Sequence, residues 1–169
     1  ARIALHGRAY KPHMLHSFED PISGEIVGAT PESLEAVELR APEFWDRVIH
    51  AMELVSHSIG GTGARAFGDS AYRVAGKTGT AQVAGLSQED EDPRKLKEIP
   101  KHLRDHALFI GFAPVDDPRI AVAVVAEHSG GGGAVAAPIA RKVMDAYLLP
   151  PAPSSTASGS AATAPGNNS

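Results

Sequence analysis

The stretch Arg119-Ile120-Ala121-Val122-Ala123-Val124-Val125-Ala126-Glu127 constrains the fold more than any other part of the chain. Its β-branched residues alternate with alanine, and charged residues close both ends, which is the pattern of a short strand. Ile120, Val122, Val124 and Ala126 fall on one face, and Ala121, Ala123 and Val125 on the other. Both faces are apolar, so the pattern predicts a strand covered on both sides by helices. Just before it, His106–Ala113 reads as a second strand, joined through Pro114-Val115-Asp116-Asp117-Pro118. That connection is short enough for an antiparallel hairpin.

Helices flank these strands. Pro42–Ile59 opens with proline at a tolerated first position and with Glu43 and Asp46 near the positive helix end. Phe44, Val48, Met52, Val55 and Ile59 recur at helical spacing and are the predicted core face. A second helix is expected over 134–149, with Val135, Ile139, Val143 and Tyr147 repeating every fourth residue. Tyr72–Val83 reads as a strand broken at Gly76 and Gly79. The first residues read as the end of a helix stopped by Gly7, Tyr10–Leu15 as a short strand, and Asp20–Gly24 as a turn between extended pieces. Helix, strands and helix, with the late strands antiparallel, define an α/β chain of the α+β kind. A helical run starting at residue 1 without a cap reads as a chain that begins mid-domain. Residues 1–149 form the domain. Residues 150–169 contain only Pro, Ala, Ser, Thr, Gly and Asn and read as a disordered tail, because nothing there can offset the entropy of ordering.

Composition excludes several functions. A net charge of −4 lacks the basic excess of a nucleic-acid binder, and the absence of cysteine excludes disulfides, thiolate metal sites and a cysteine nucleophile. No apolar run is long enough to cross a membrane as a helix. The histidine pairs His13/His16, His50/His57 and His102/His106 have no clear acidic third ligand, so no metal and no cofactor is expected. The charge-rich segment Ser87–Asp105 reads as a solvated hairpin loop with a helical turn; docking of a partner is the alternative.

The chemistry concentrates in Ala75-Gly76-Lys77-Thr78-Gly79-Thr80-Ala81-Gln82. A phosphate-binding loop would need glycine five positions before Gly76, where Ala71 stands. On a strand, Lys77 supplies positive field, Gly79 admits a substrate backbone, and Thr78 and Thr80 project two hydroxyls to one side. That set suits a carboxylate together with a developing oxyanion bound by the Thr80 N–H.

The whole run Val74–Val83 resembles the third active-site motif of class B penicillin-binding proteins. Gly61-Thr62-Gly63-Ala64 is similar to the family's turn before that strand, and Arg104–Pro114 to the strand after it, with its aromatic-Ala-Pro end. Arg119–Val125 and Ala137-Pro138-Ile139-Ala140 resemble the last strand and the closing helix. Gln82, the charged excursion and Leu103-Arg104-Asp105-His106 are most similar to the branch serving cell elongation.

The resemblance implies a five-stranded antiparallel sheet between helical layers, in the fold shared with serine β-lactamases, and peptidoglycan D,D-transpeptidase activity on D-Ala-D-Ala stem peptides. It implies that Lys77 and Thr80 are catalytic and that Lys77, Thr78, Gly79 and Thr80 bind substrate. It further implies β-lactam antibiotics as ligands, the rest of the transpeptidase domain and elongation-complex membrane proteins as partners, and a place at the periplasmic face of a bacterial inner membrane. The sequence departs from the family in two respects. No serine stands three residues before a lysine, and there is no Ser-x-Asn element, so the 169 residues resemble the C-terminal part of the domain and are expected to be inactive alone. A non-catalytic β-lactam sensor or interaction domain on the same fold is the alternative.

Overall fold

The computed structural model describes residues 1–83 and 100–150. The central sheet has three antiparallel strands in the order β5-β6-β7, where β5 is Ala75–Ala81, β6 is His106–Ala113 and β7 is Ile120–Ala126. Ala75 pairs with Phe112 and Ala81 with His106; on the other side Ala107 pairs with Ala126 and Ala113 with Ile120. The expected β6–β7 hairpin is therefore present. The expected break in β5 is not: Gly76 and Gly79 lie inside one continuous ladder, because β6 supplies partners to every residue of the strand.

Strand alternation creates two cores on opposite faces. On one face Phe67, Val74, Ala107, Phe109 and Ala113 pack with Ala136, Ala137, Ala140 and Met144 of helix α3, Ala136–Leu148. Phe67 comes from the short helix α2, Ala64–Phe67, and its ring stacks on Phe109 at 5.2 Å. On the other face a smaller cluster joins Ala75 and Phe112 to Ile49 of helix α1, Glu43–His57, with Ile3, Ala4, Met52 and Val115 around it.

Both helices bury a stripe shifted from the predicted one: Met52 and Val135 pack against the cores as expected, but the most deeply buried positions differ. In α1, Ile49 and Ser56 are buried, whereas Phe44 and Val48 are exposed and Ile59 lies past the helix end, fully exposed. In α3 the alanines and Met144 face the sheet, while Ile139, Val143 and Tyr147 are exposed. The physical reason is distance: a helix whose sheet-facing residues are alanines approaches the strands closely, and the larger side chains are left at its margins. Among the described residues, β7 is covered on one face only. Ala121, Ala123 and Val125 are exposed, against the expectation of cover on both sides.

The first 40 residues carry two small antiparallel pairs: β1 (Ala9–Tyr10) with β4 (Ser33–Leu34), and β2 (Ser17–Glu19) with β3 (Ile26–Gly28). The strand expected over Tyr10–Leu15 is reduced to the end of β1. Residues 2–7 form hydrogen-bonded turns rather than a helix, with Gly7 at φ +92° closing them through its N–H to the Arg2 carbonyl, 3.0 Å. The Asp20–Gly24 turn forms as expected; one Asp20 carboxylate oxygen accepts from the Ile22 and Ser23 N–H groups, both at 2.8 Å. Most of the charged segment and nearly all of the tail lie outside the described residues. The segment's end contains a 3-10 turn at Lys101–Leu103.

Candidate active site

β5 positions the candidate residues. Among the described residues it is an outer strand of its sheet, paired only with β6. Alternation puts Gly76, Thr78 and Thr80 on one face and Lys77 and Gly79 on the other. The two threonine hydroxyls thus share a side, as expected, and Lys77 leaves from the opposite one. Its exposed side chain curls back so that Nζ donates to the Thr78 carbonyl at 2.6 Å.

Two features outside the predicted set complete the surroundings. Thr62 Oγ1 and Thr78 Oγ1 share a hydrogen bond of 2.7 Å. Thr62 sits in a turn anchored on α1 by the Gly63 N–H to the Val55 carbonyl, 2.9 Å. The glycine run Gly130–Gly133 before α3 lies directly on β5 and β6. A Cβ on Gly132 would strike the Leu108 and Gly79 carbonyls and come within 2.9 Å of the Gly79 nitrogen. Only a residue without a side chain permits that approach. The readable signal is a lone threonine between glycines just before α2, and a glycine run just after β7.

The lead-in to β5 is held by polar contacts. His57 Nε2 accepts the Val74 N–H at 2.9 Å, which fixes the imidazole as neutral and Nδ1-protonated, and burial pushes its pKa below the ordinary value. Arg73 bonds the Glu53 carboxylate with two nitrogens, one of them at 2.7 Å, and Asp116 at 2.8 Å. The Arg73 hydrogen bond holds Glu53 below the usual carboxylate range. Tyr72 donates to Asp145 at 2.6 Å, and Arg141 joins Asp145, Asp69 and the Ala66 carbonyl, so α2, α3 and the lead-in to β5 form one unit. Burial, reinforced by Asp145, pushes the Tyr72 phenol up, so it stays a donor. At the other end of the sheet the pairing His102/His106 is replaced by His106/His128. His106 Nδ1 accepts the His128 N–H at 2.9 Å, and the rings meet edge to face at 4.7 Å.

Residues 1–145 match the family described as the penicillin binding protein transpeptidase domain. The chain belongs to the penicillin-binding protein transpeptidase family. It is 38% identical over 144 residues to the peptidoglycan D,D-transpeptidase MrdA of Haemophilus influenzae, covering 84% of this chain and 21% of that protein. It is 33% identical over 154 residues to the D,D-transpeptidase PbpA of Mycolicibacterium smegmatis, covering 88% of the chain and 27% of PbpA. The chain thus spans about a fifth to a quarter of the length of these relatives. Among solved structures it is similar to Pseudomonas aeruginosa PBP2 in complex with WCK 5153, at TM-score 0.62 and 37% identity over 89% of this chain and 29% of that one. It is also similar to the ceftriaxone acyl-enzyme of Mycobacterium tuberculosis penicillin-binding protein A, at TM-score 0.61 and 27% identity over 87% and 30%. The MrdA and PBP2 likenesses bear out both the class B resemblance read from Val74–Val83 and the PBP2-like branch read from Gln82, the charged excursion and Leu103–His106. In this penicillin-binding protein sequence, the family's fold accounts for the antiparallel sheet with helices packed on it.

Proposed function

We propose that the chain is the carboxylate-binding and oxyanion-completing wall of a peptidoglycan D,D-transpeptidase site. Thr78 and Thr80 bind the terminal carboxylate of a D-Ala-D-Ala stem peptide or of a β-lactam. Gly79 lets the substrate backbone approach the outer strand, and the Thr80 N–H completes the oxyanion hole. Lys77 supplies positive field to the carboxylate and to proton transfer at the attacked serine. None of the chain's serines stands three residues before a lysine, so in this reading the acylated serine belongs to protein outside these residues. The full protein works at the periplasmic face of the inner membrane, among elongation-complex membrane proteins. Among the described residues themselves, no helix is long and apolar enough to cross a membrane.

The observation that carries the reading is β5 itself: an outer strand with two hydroxyls on one side and an ammonium folded against the carbonyl between them. The test is the rate of acylation by a fluorescent penicillin in the full-length protein. Lys77→Ala is expected to lower it by on the order of 3 kcal/mol, roughly a hundredfold, because it removes one preorganised electrostatic contact from developing charge. Thr80→Ala is expected to cost on the order of 1–2 kcal/mol, since the backbone donor remains. The 169-residue chain alone is expected to take up no label. Stoichiometric labelling of it, or an unchanged rate for Lys77→Ala, overturns the assignment.

A further inference from the structure

We propose that Thr62 is a positioning residue that acts through Thr78 to set the strength of carboxylate recognition; this rests on the function proposed above. The observation is the 2.7 Å hydrogen bond between the two hydroxyls. Each threonine has one proton and two lone pairs to share. If Thr78 donates its proton to a carboxylate, the proton between the two threonines has to come from Thr62. The chain then runs Thr62 to Thr78 to carboxylate, all donors pointing one way. A hydroxyl that accepts a hydrogen bond becomes a stronger donor, so Thr62 strengthens the contact it does not itself make.

The backbone keeps Thr62 in place for this. Its turn is tied to the C-terminal end of α1 by the Gly61 N–H to the Ser58 carbonyl and the Gly63 N–H to the Val55 carbonyl, each 2.9 Å. From the other side Gly133 lies so close that a Cβ there would strike the Thr62 carbonyl, and that Cβ would be 3.8 Å from the Thr78 methyl. The turn, β5 and the glycine run meet at this point. Thr62 is therefore held between two fixed pieces of backbone, and its hydroxyl has a short reach to one partner.

The experiment uses the full-length transpeptidase and two probes, benzylpenicillin and its neutral methyl ester, with acylation rate constants measured for Thr62→Val, Thr62→Ser, Thr78→Val and the double valine variant. Thr62→Val is expected to slow acylation by the acid about five- to tenfold, the size of one ordinary hydrogen bond. Acylation by the ester is expected to change less than twofold. Thr62→Ser restores the acid rate, and the double variant is no slower than Thr78→Val, because Thr62 acts only through Thr78. Thermal melts of each variant establish that it is folded, and where Thr62→Val does not fold, Thr62→Ala against Thr78→Val carries the test. If Thr78→Val loses acid-over-ester preference and Thr62→Val does not, the role of Thr62 is overturned alone. If Thr78→Val keeps that preference, the carboxylate-binding function falls, and the role of Thr62 with it.

Discussion

His57 shows how one side chain links the helix before β5 to the strand. Its ring accepts the Val74 N–H, so the folded protein requires the neutral imidazole, and burial favours the same form over the opposing pull of Glu53. The folded pKa lies below the unfolded value of 6.5. The unfolded chain therefore binds the extra proton first, and stability is lost as the pH falls below about 6.5. Glu53 adds to this at more acid pH, since its carboxylate is held down by Arg73 and its contribution disappears once it is protonated. Thermal melts between pH 7.5 and 5.5 are expected to show a falling midpoint, and His57→Gln, which keeps an acceptor without the proton site, to flatten that fall. An equal fall in the variant would remove His57 from the explanation.

At the scale of elements, the glycine run and β5 are built as one contact. Gly132 faces the Leu108 and Gly79 carbonyls, whereas a Cβ on its neighbour Gly131 would meet nothing within 4 Å. Backbone cannot move aside as a flexible side chain does. Gly132→Ala is therefore expected to destabilise by about 1–3 kcal/mol and to slow penicillin acylation, through displacement of Gly79. Gly131→Ala is expected to stay within about 0.5 kcal/mol of the parent in the same melts and to acylate normally. Equal effects of the two substitutions would mean that the run is only a tether. Gly76 is a second such contact within the strand, since a Cβ there would collide with the Phe109 ring that fills the core beneath it.

At the scale of the molecule, the two faces of the sheet are unequally covered. Among the described residues, α2 and α3 close one face over Phe109, with Met144 of α3 packed against it, while Ile110 at 50% exposure and Val125 at 63% remain open on the other. Ala121 and Ala123 lie beside them, and Met52 and Phe112 line the adjoining hollow. An open apolar face of this kind favours association. The 169-residue chain is expected to bind a hydrophobic dye and to self-associate as its concentration rises. Val125→Lys is expected to reduce both without lowering the melting midpoint. A parent chain that stays monomeric and binds no dye would contradict this picture of the surface.

The sequence by itself determined the local elements and the reactive strand. β6 and the β6–β7 hairpin could be read because alternation and turn residues are local properties, and Lys77-Thr78-Gly79-Thr80 could be read because its chemistry sits in consecutive residues. The same alternation put Thr78 and Thr80 on one side. Only the tertiary structure decided which stripe of α1 and α3 is buried, since periodicity records where large apolar side chains stand and not how closely the sheet approaches. Ala136, Ala140 and Ser56 face inward because close packing selects small residues, and this leaves Ile139 and Val143 outside. It likewise decided the partner of Thr78. Thr62 is sixteen residues away and reaches it because the intervening turn and α2 fold back on α1. Gly132 is farther still, and its contact is a backbone approach that leaves no mark in the sequence beyond a missing side chain.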